Sequence, residues 1–219
     1  MTVKRTVIGV VSAVLLAAGM PAAAAHAQDG TRVATVRELV ESLPVAEEHR
    51  EGYRRSAFKH WVDADKDSCN TRQEVLKQEA VQAPAQGSRC KLTGGQWWSY
   101  YDDTPVDGPS GLDIDHMVPL AEAWDSGAYG WTAKRRELYA NDLAYPRSLV
   151  AVTARTNRSK ADQDVAQWMP PAEDARCQYL TDWVTVKTRW ALSVDAIEQR
   201  ALQQLAEACP DTTLDVPLA

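Results

Sequence analysis

The stretch "GLDIDHMVPLAEAW", residues 111–124, decides the fold. Leu112 and Ile114 alternate with Asp113 and Asp115, the period of a half-buried strand, so "GLDIDHM" reads as a short strand. "PLAEAWDSG" then reads as a helix, with Pro119 near its first turn and Gly127 near its end. Asp115-His116 sits where the strand stops. A polar pair at a strand end can be mere capping, so its neighbours in space decide what it does.

Those neighbours lie downstream. "TAKRRELYAND" opens on Thr132 as another short helix, and "SLVAVTA", 148–154, is a Leu- and Val-rich strand. The polar run "RTNRSKADQD" begins a helix that ends before Pro170-Pro171. If strands 111–116 and 148–153 pair and the second turns into that helix, Asp115 and His116 converge with Asn157, Arg158 and Lys160. These residue types suit phosphodiester hydrolysis. A hard cation such as Mg2+ or Mn2+ takes few protein oxygens and keeps several waters, so Asp115 and Asn157 suffice as metal ligands. His116 is the candidate general base, its unperturbed pKa of about 6.5 suiting proton abstraction near neutral pH. Arg155, Arg158 and Lys160 are the candidate phosphate ligands. From Trp131 to Lys160 seven bases face two acids, Glu137 and Asp142, a local positive patch of the kind that binds phosphate without reading sequence.

"DIDHMVPL", "SLVAV" and "NRSKAD", in that order, resemble the HNH, or ββα-metal, nucleases. They resemble in particular the secreted bacterial HNH-type endonucleases that share the pattern IDHxVPLAEAWxSGA, NRSKxD, WxPP. The likeness is close over roughly 111–171, and "DADKDSCNTRQEVL" upstream is also similar. By position it implies Asp115 and Asn157 as metal ligands, His116 as general base, and cleavage of DNA, and of RNA as a further substrate, to 5′-phosphate products. The middle Asn of the HNH pattern, which helps to orient the histidine, falls on Ser148. The hydroxyl of Ser148 and the side chain of Asn141 are the two candidates for that task.

The chain opens on Lys4 and Arg5, an apolar run, and small residues closing on Ala25-His26-Ala27, which reads as a secretory signal peptide over 1–27. The expectation is a secreted, extracellular monomer over 28–219, with no membrane association once mature. Without Lys4 and Arg5 the formal net charge of −6 becomes −8, which disfavours a general nucleic-acid binder unless a local basic surface supplies the contact. Four cysteines in an exported chain point to disulfides. Sequence order favours Cys69 with Cys90 and Cys177 with Cys209. The second pairing also follows from two helices, 174–190 and 193–208, packed antiparallel so that the start of one meets the end of the other.

The expected fold is α+β: one mostly helical domain around a ββα-metal core at 111–171, with a helical and hairpin part at 28–110 and a helical hairpin at 172–219. Within 28–110, helices are expected over 33–42, about 45–62 and the "TRQEVLKQEA" segment. A β-hairpin is expected about Gly94-Gly95, and a Pro/Gly/Asp loop at 102–110. The aromatic run "WWSYY", 97–101, reads as core packing, and His49 and His60 as ordinary helix histidines.

Residues 63–74 fit a calcium loop of EF-hand type in register. Asp63, Asp65 and Asp67 stand at positions one, three and five, Cys69 at seven, Thr71 at nine and Glu74 at twelve; Ser68 replaces the usual glycine at six. The same residues also read as a capping box, Thr71-x-x-Glu74, with a solvated turn before it. The alternative to a nuclease is therefore a calcium-stabilised extracellular binding module on an inactive HNH-like scaffold.

Overall fold

The computed structural model describes residue 1 and residues 30–219; the expected signal peptide, 1–27, lies outside the described residues except for Met1. In chain order the elements are β1 (Thr31–Thr35), α1 (Val36–Ser42), α2 (Thr71–Gln78), β2 (Ala85–Gln86), β3 (Leu92–Thr93), β4 (Gln96–Ser99), β5 (Thr104–Asp107) and β6 (Leu112–His116). There follow α3 (Leu120–Asp125), α4 (Ala133–Ala140), β7 (Leu149–Thr153), α5 (Ala154–Lys160), α6 (Arg176–Trp190), α7 (Ala196–Ala208) and β8 (Thr213–Pro217). The class is α+β, with the strands in two-stranded antiparallel pairs: β1 with β8, β2 with β3, β4 with β5, and β6 with β7.

The decisive unit forms as the sequence suggests. β6 pairs with β7 in the register Leu112↔Thr153, Ile114↔Ala151, His116↔Leu149, and β7 runs straight into α5. Thr153 caps α5, its hydroxyl accepting from the Thr156 N–H at 3.4 Å. Strand alternation sends Leu112, Ile114, Leu149 and Ala151 to one face, where they pack on Val75 and Leu76 of α2 and on Trp97. Val150 and Val152 face the other way, into the larger core with Tyr101, Tyr179 and Trp183. The strand pair is thus a wall between two apolar clusters.

The C-terminal helices also form, and Cys177–Cys209 bridges the start of α6 to the end of α7 with Cα atoms 5.4 Å apart. Lys187 of α6 is fully buried and bonds Glu122 and Glu198 at 2.7 Å each. Cys69–Cys90 ties the entry of α2 to the segment before β3.

Three expectations fail. Residues 45–62 are not a helix: only Arg55–Ala57 make a single 3-10 turn. Gly52 adopts φ +76° inside the run, and the backbone bonds elsewhere, Ala46 N–H to Val194 O at 2.9 Å and His49 N–H to Asp125 O at 3.2 Å. Tertiary partners thus displace helical ones. The first expected helix, 33–42, starts only at Val36: residues 33–35 belong to β1, because β8 supplies an edge that the sequence pattern did not reveal. Gly94-Gly95 does not close a hairpin: β3 pairs back to β2, and β4 pairs with β5, which lies inside the expected 102–110 loop. Both glycines have positive φ, and a Cβ on Gly95 would meet the Trp97 ring at 2.8 Å, so the dipeptide lets the chain cross over a buried tryptophan.

Candidate functional site

Asp115 and His116 are neighbours in sequence and part company in space. Successive strand side chains point to opposite faces. Asp115 turns toward α5, where its Oδ2 accepts from the Tyr101 hydroxyl at 2.6 Å and from Lys160 Nζ. Lys160 is fully buried and also donates to the carbonyls of His116 at 3.1 Å and Met117 at 2.7 Å. Burial raises the Asp115 carboxyl and lowers the Lys160 ammonium, each toward its neutral form, while their mutual attraction opposes both shifts. Lys160, expected to reach phosphate, is therefore an internal counter-ion.

His116 turns the other way. Its Nε2 lies 3.0 Å from the carbonyl oxygen of Ala140, at the end of α4. A carbonyl only accepts, so Nε2 carries the proton and the neutral ring keeps its lone pair on Nδ1. The ring stacks on Tyr139, 17° from parallel, and meets Trp61 at a centroid distance of 5.5 Å. Burial pushes its pKa down to about 3, outweighing the upward pull of the Ala140 bond, with Arg55, His60 and Lys160 adding to the lowering. The imidazole is thus neutral across the ordinary pH range, as a proton acceptor must be.

Asn157 meets Asp113 rather than Asp115. Its amide nitrogen lies 3.4 Å from Asp113 Oδ2, which Arg158 Nε also approaches at 3.3 Å. A carboxylate cannot donate, so the NH2 group faces Asp113 and Oδ1 is left for another partner. Asp113 was not singled out from the sequence, although its i, i+2 spacing from Asp115 placed it on the same strand face.

Neither candidate for orienting the histidine touches it. Ser148 donates to Asp142 at 2.7 Å, and Asp142 is held by Arg189 and Trp190. Asn141 accepts from the Val62 N–H at 3.0 Å and donates to Lys59 O at 2.8 Å, stapling segment 59–62 to the end of α4. The main-chain carbonyl next to it, that of Ala140, is what fixes the ring. His60, read as an ordinary histidine, lies in that stapled segment with its ring centroid 6.4 Å from that of His116.

The basic run is largely spent inside the protein. Arg135 stacks on Trp131 with 4.8 Å to the ring centroid, Arg136 donates to the carbonyls of Ala57 and Ala128, and Arg147 pairs with Asp182. Arg155 and Arg158 stay mostly exposed, 3.6 Å from Asp102 and 3.3 Å from Asp113, and are the cations of α5 that solvent reaches.

The acidic loop is not an EF-hand. No α-helix leads into it from residues 45–62; Thr71 is buried and donates to Val62 O and Asn141, and Glu74 pairs with Lys77 at 2.7 Å. The cap of α2 is Asn70 with Gln73, one residue earlier than the expected Thr71 and Glu74. The carboxylates of Asp63, Asp65 and Asp67 lie within 4.8 Å of one another, and two of them accept from the turn's own N–H groups, Asp63 from Ser68 at 3.0 Å and Asp67 from Cys69 at 2.7 Å. In the "WWSYY" run Trp97 is buried, donating to Leu76 O at 2.8 Å, whereas Trp98 is half exposed.

Residues 54–205 match the family described as GmrSD restriction endonucleases, C-terminal domain. An uncharacterized secreted protein of Arthroderma benhamiae is 38% identical over 207 residues, covering 94% of this chain and 100% of the relative. That relative is fungal, so the bacterial part of the resemblance is not supported. No solved structure matches the chain.

Proposed function

The chain belongs to the family of GmrSD restriction endonuclease C-terminal domains, and from that premise we propose that it is a secreted, monomeric, divalent-metal-dependent endonuclease. Its substrate is DNA, with RNA as a second candidate, cleaved with little sequence preference. The observation that carries this reading is His116: an imidazole at the end of β6, in a unit of two strands and a helix, pinned through Nε2 so that Nδ1 is the basic atom. Water attacks phosphorus in line, His116 Nδ1 takes its proton, and the P–O3′ bond breaks to leave a 5′-phosphate. Arg155 and Arg158 hold backbone phosphate from α5, contacts that give affinity without sequence information. Secretion is supported by the amino-terminal pattern, the two disulfides and the secreted relative.

The donor set suits a hard cation. Asn157 Oδ1 and Asp113 are the oxygen donors, on facing parts of α5 and β6, that would hold it; Asp115, the expected ligand, already has Oδ2 on Lys160 and Tyr101 and would join them only by giving up that pairing. Such an ion would supply charge stabilisation for the crowded phosphate oxygens.

The test is cleavage of plasmid DNA and of RNA by the mature protein over a panel of divalent metals, with EDTA and His116→Ala as controls. Expected are metal-dependent nicking, its loss in EDTA, and a fall of about 10² to 10⁴ in kcat for His116→Ala. A folded, metal-supplied protein that leaves both substrates intact overturns the proposal and returns the chain to the extracellular binding-module reading.

A further inference from the structure

Segment 59–62 brings a second imidazole to the reaction centre. His60 repeats the device that holds His116: its Nδ1 lies 2.9 Å from the carbonyl of Phe58, so Nδ1 donates and, in the neutral ring, Nε2 keeps the lone pair. The two rings stand nearly perpendicular, at 80°, with centroids 6.4 Å apart. Each has one nitrogen pinned to a main-chain carbonyl and the other without a hydrogen-bond partner among the described residues.

The chain is strained to achieve this. Trp61 has φ +57°, a left-handed conformation that costs a non-glycine residue about 1–2 kcal/mol. In extended backbone, neighbouring side chains point apart; the left-handed residue breaks that alternation, and both His60 and Trp61 reach the same imidazole. Asn141 holds the strained segment from both sides, through Lys59 O and the Val62 N–H. Strain that is held in place by a half-buried polar side chain, next to a candidate base, points to function.

We propose that His60 is a second catalytic residue of the hydrolysis, an inference that rests on the nuclease reading above. The attacking water donates one hydrogen to His60 Nε2 and the other to His116 Nδ1. Two hydrogen bonds of about 2.9 Å meeting at one water span roughly 4.5–5 Å between nitrogens, which the ring separation accommodates. As the O–P bond forms, the proton facing His116 transfers to it and the P–O3′ bond breaks, its electron pair going to O3′, which is protonated by solvent water. His60 neither gains nor loses a proton; it fixes the oxygen lone pair on the line of attack.

The test compares His60→Ala and His60→Gln with wild type, His116→Ala and the remote His49→Ala, on plasmid DNA with Mn2+, recording kcat, KM and unfolding temperature. His60→Ala should lose about 10- to 100-fold in kcat, the scale of a misplaced reactant, with KM unchanged. His60→Gln, whose side-chain carbonyl still accepts a hydrogen bond, should recover part of that loss, and both should unfold with wild type. Wild-type kcat in His60→Ala alongside an inactive His116→Ala overturns the inference and leaves the nuclease reading standing. So does a loss that appears in KM alone, or one matched in both variants by a lower unfolding temperature. An inactive wild type overturns the nuclease reading itself.

Discussion

Replacing Lys160 by methionine removes a cation that solvent does not reach. Its ammonium has three partners, Asp115 Oδ2 and the carbonyls of His116 and Met117, and lies 5.7–5.8 Å from the ring centroids of Tyr101, Tyr179 and Trp183. Without it Asp115 keeps only the Tyr101 hydroxyl among these partners, and a buried carboxylate is left uncompensated. Breaking one side of a buried ion pair costs about 3–5 kcal/mol. For a domain of this size each kcal/mol lowers the melting temperature by about 2–4 °C, so Lys160→Met should melt about 6–20 °C lower. Asp115→Asn combined with Lys160→Met removes both charges and keeps an acceptor for Tyr101, so it should recover much of the loss. Chemical denaturation of the two single variants and the double variant measures the coupling. Lys160→Met with stability within about 0.5 kcal/mol of wild type, together with a DNA-binding salt slope reduced by about 0.9, would show that the lysine reaches phosphate and refute the buried pair.

His116, held near pKa 3 in the native chain against about 6.5 when unfolded, gains a proton on unfolding in acid; its contribution to stability is complete above pH 6.5 and is lost as pH falls toward 3. The log of kcat should accordingly show no break near pH 6.5, and a break there in a pH–rate profile contradicts the buried neutral base. Glu79, raised to about 7 by burial, accepts from the Ala151 N–H at 2.7 Å and behaves in the opposite sense. It keeps its proton when folded, so stability present below pH 4.5 is lost as pH rises to about 7, and Glu79→Gln should flatten that part of a stability–pH curve. Cys177 and Cys209 are 32 residues apart, and replacing both by serine should cost about 3–4 kcal/mol in urea unfolding, with an unchanged transition midpoint as the contrary result.

The parts of the fold that were legible are those whose partners are near in sequence or carry a strong period. Leu112 and Ile114, "SLVAV", and the two C-terminal helices each declare an apolar face over their own length. Segment 45–62 also carried spaced apolar residues, but its backbone is engaged by Val194 and Asp125, over 140 and about 75 residues away, and local spacing cannot reveal such partners. The β1–β8 pair failed to show for the same reason, since it joins the two ends of the described chain.

The site was legible in its residue types and less so in its geometry, and the strand period explains the difference. Reading Asp115-His116 as one converging pair overlooked that adjacent strand residues diverge, whereas Asp113 and Asp115, two apart, share a face. The motif therefore faces two ways: Asp115 with Lys160 and Tyr101 joins β6 to α5 and the large core, and His116 looks onto α4 and segment 59–62. Asn141 makes the same point from the other side. Considered as a direct support for His116, it acts one residue removed, holding Lys59 and Val62 so that Trp61 can stay left-handed against the ring, while Ala140 supplies the carbonyl. A main-chain carbonyl leaves no trace in residue identity. The support that a middle asparagine would give is thus provided by backbone, and the serine at 148 is free to hold Asp142 in the core.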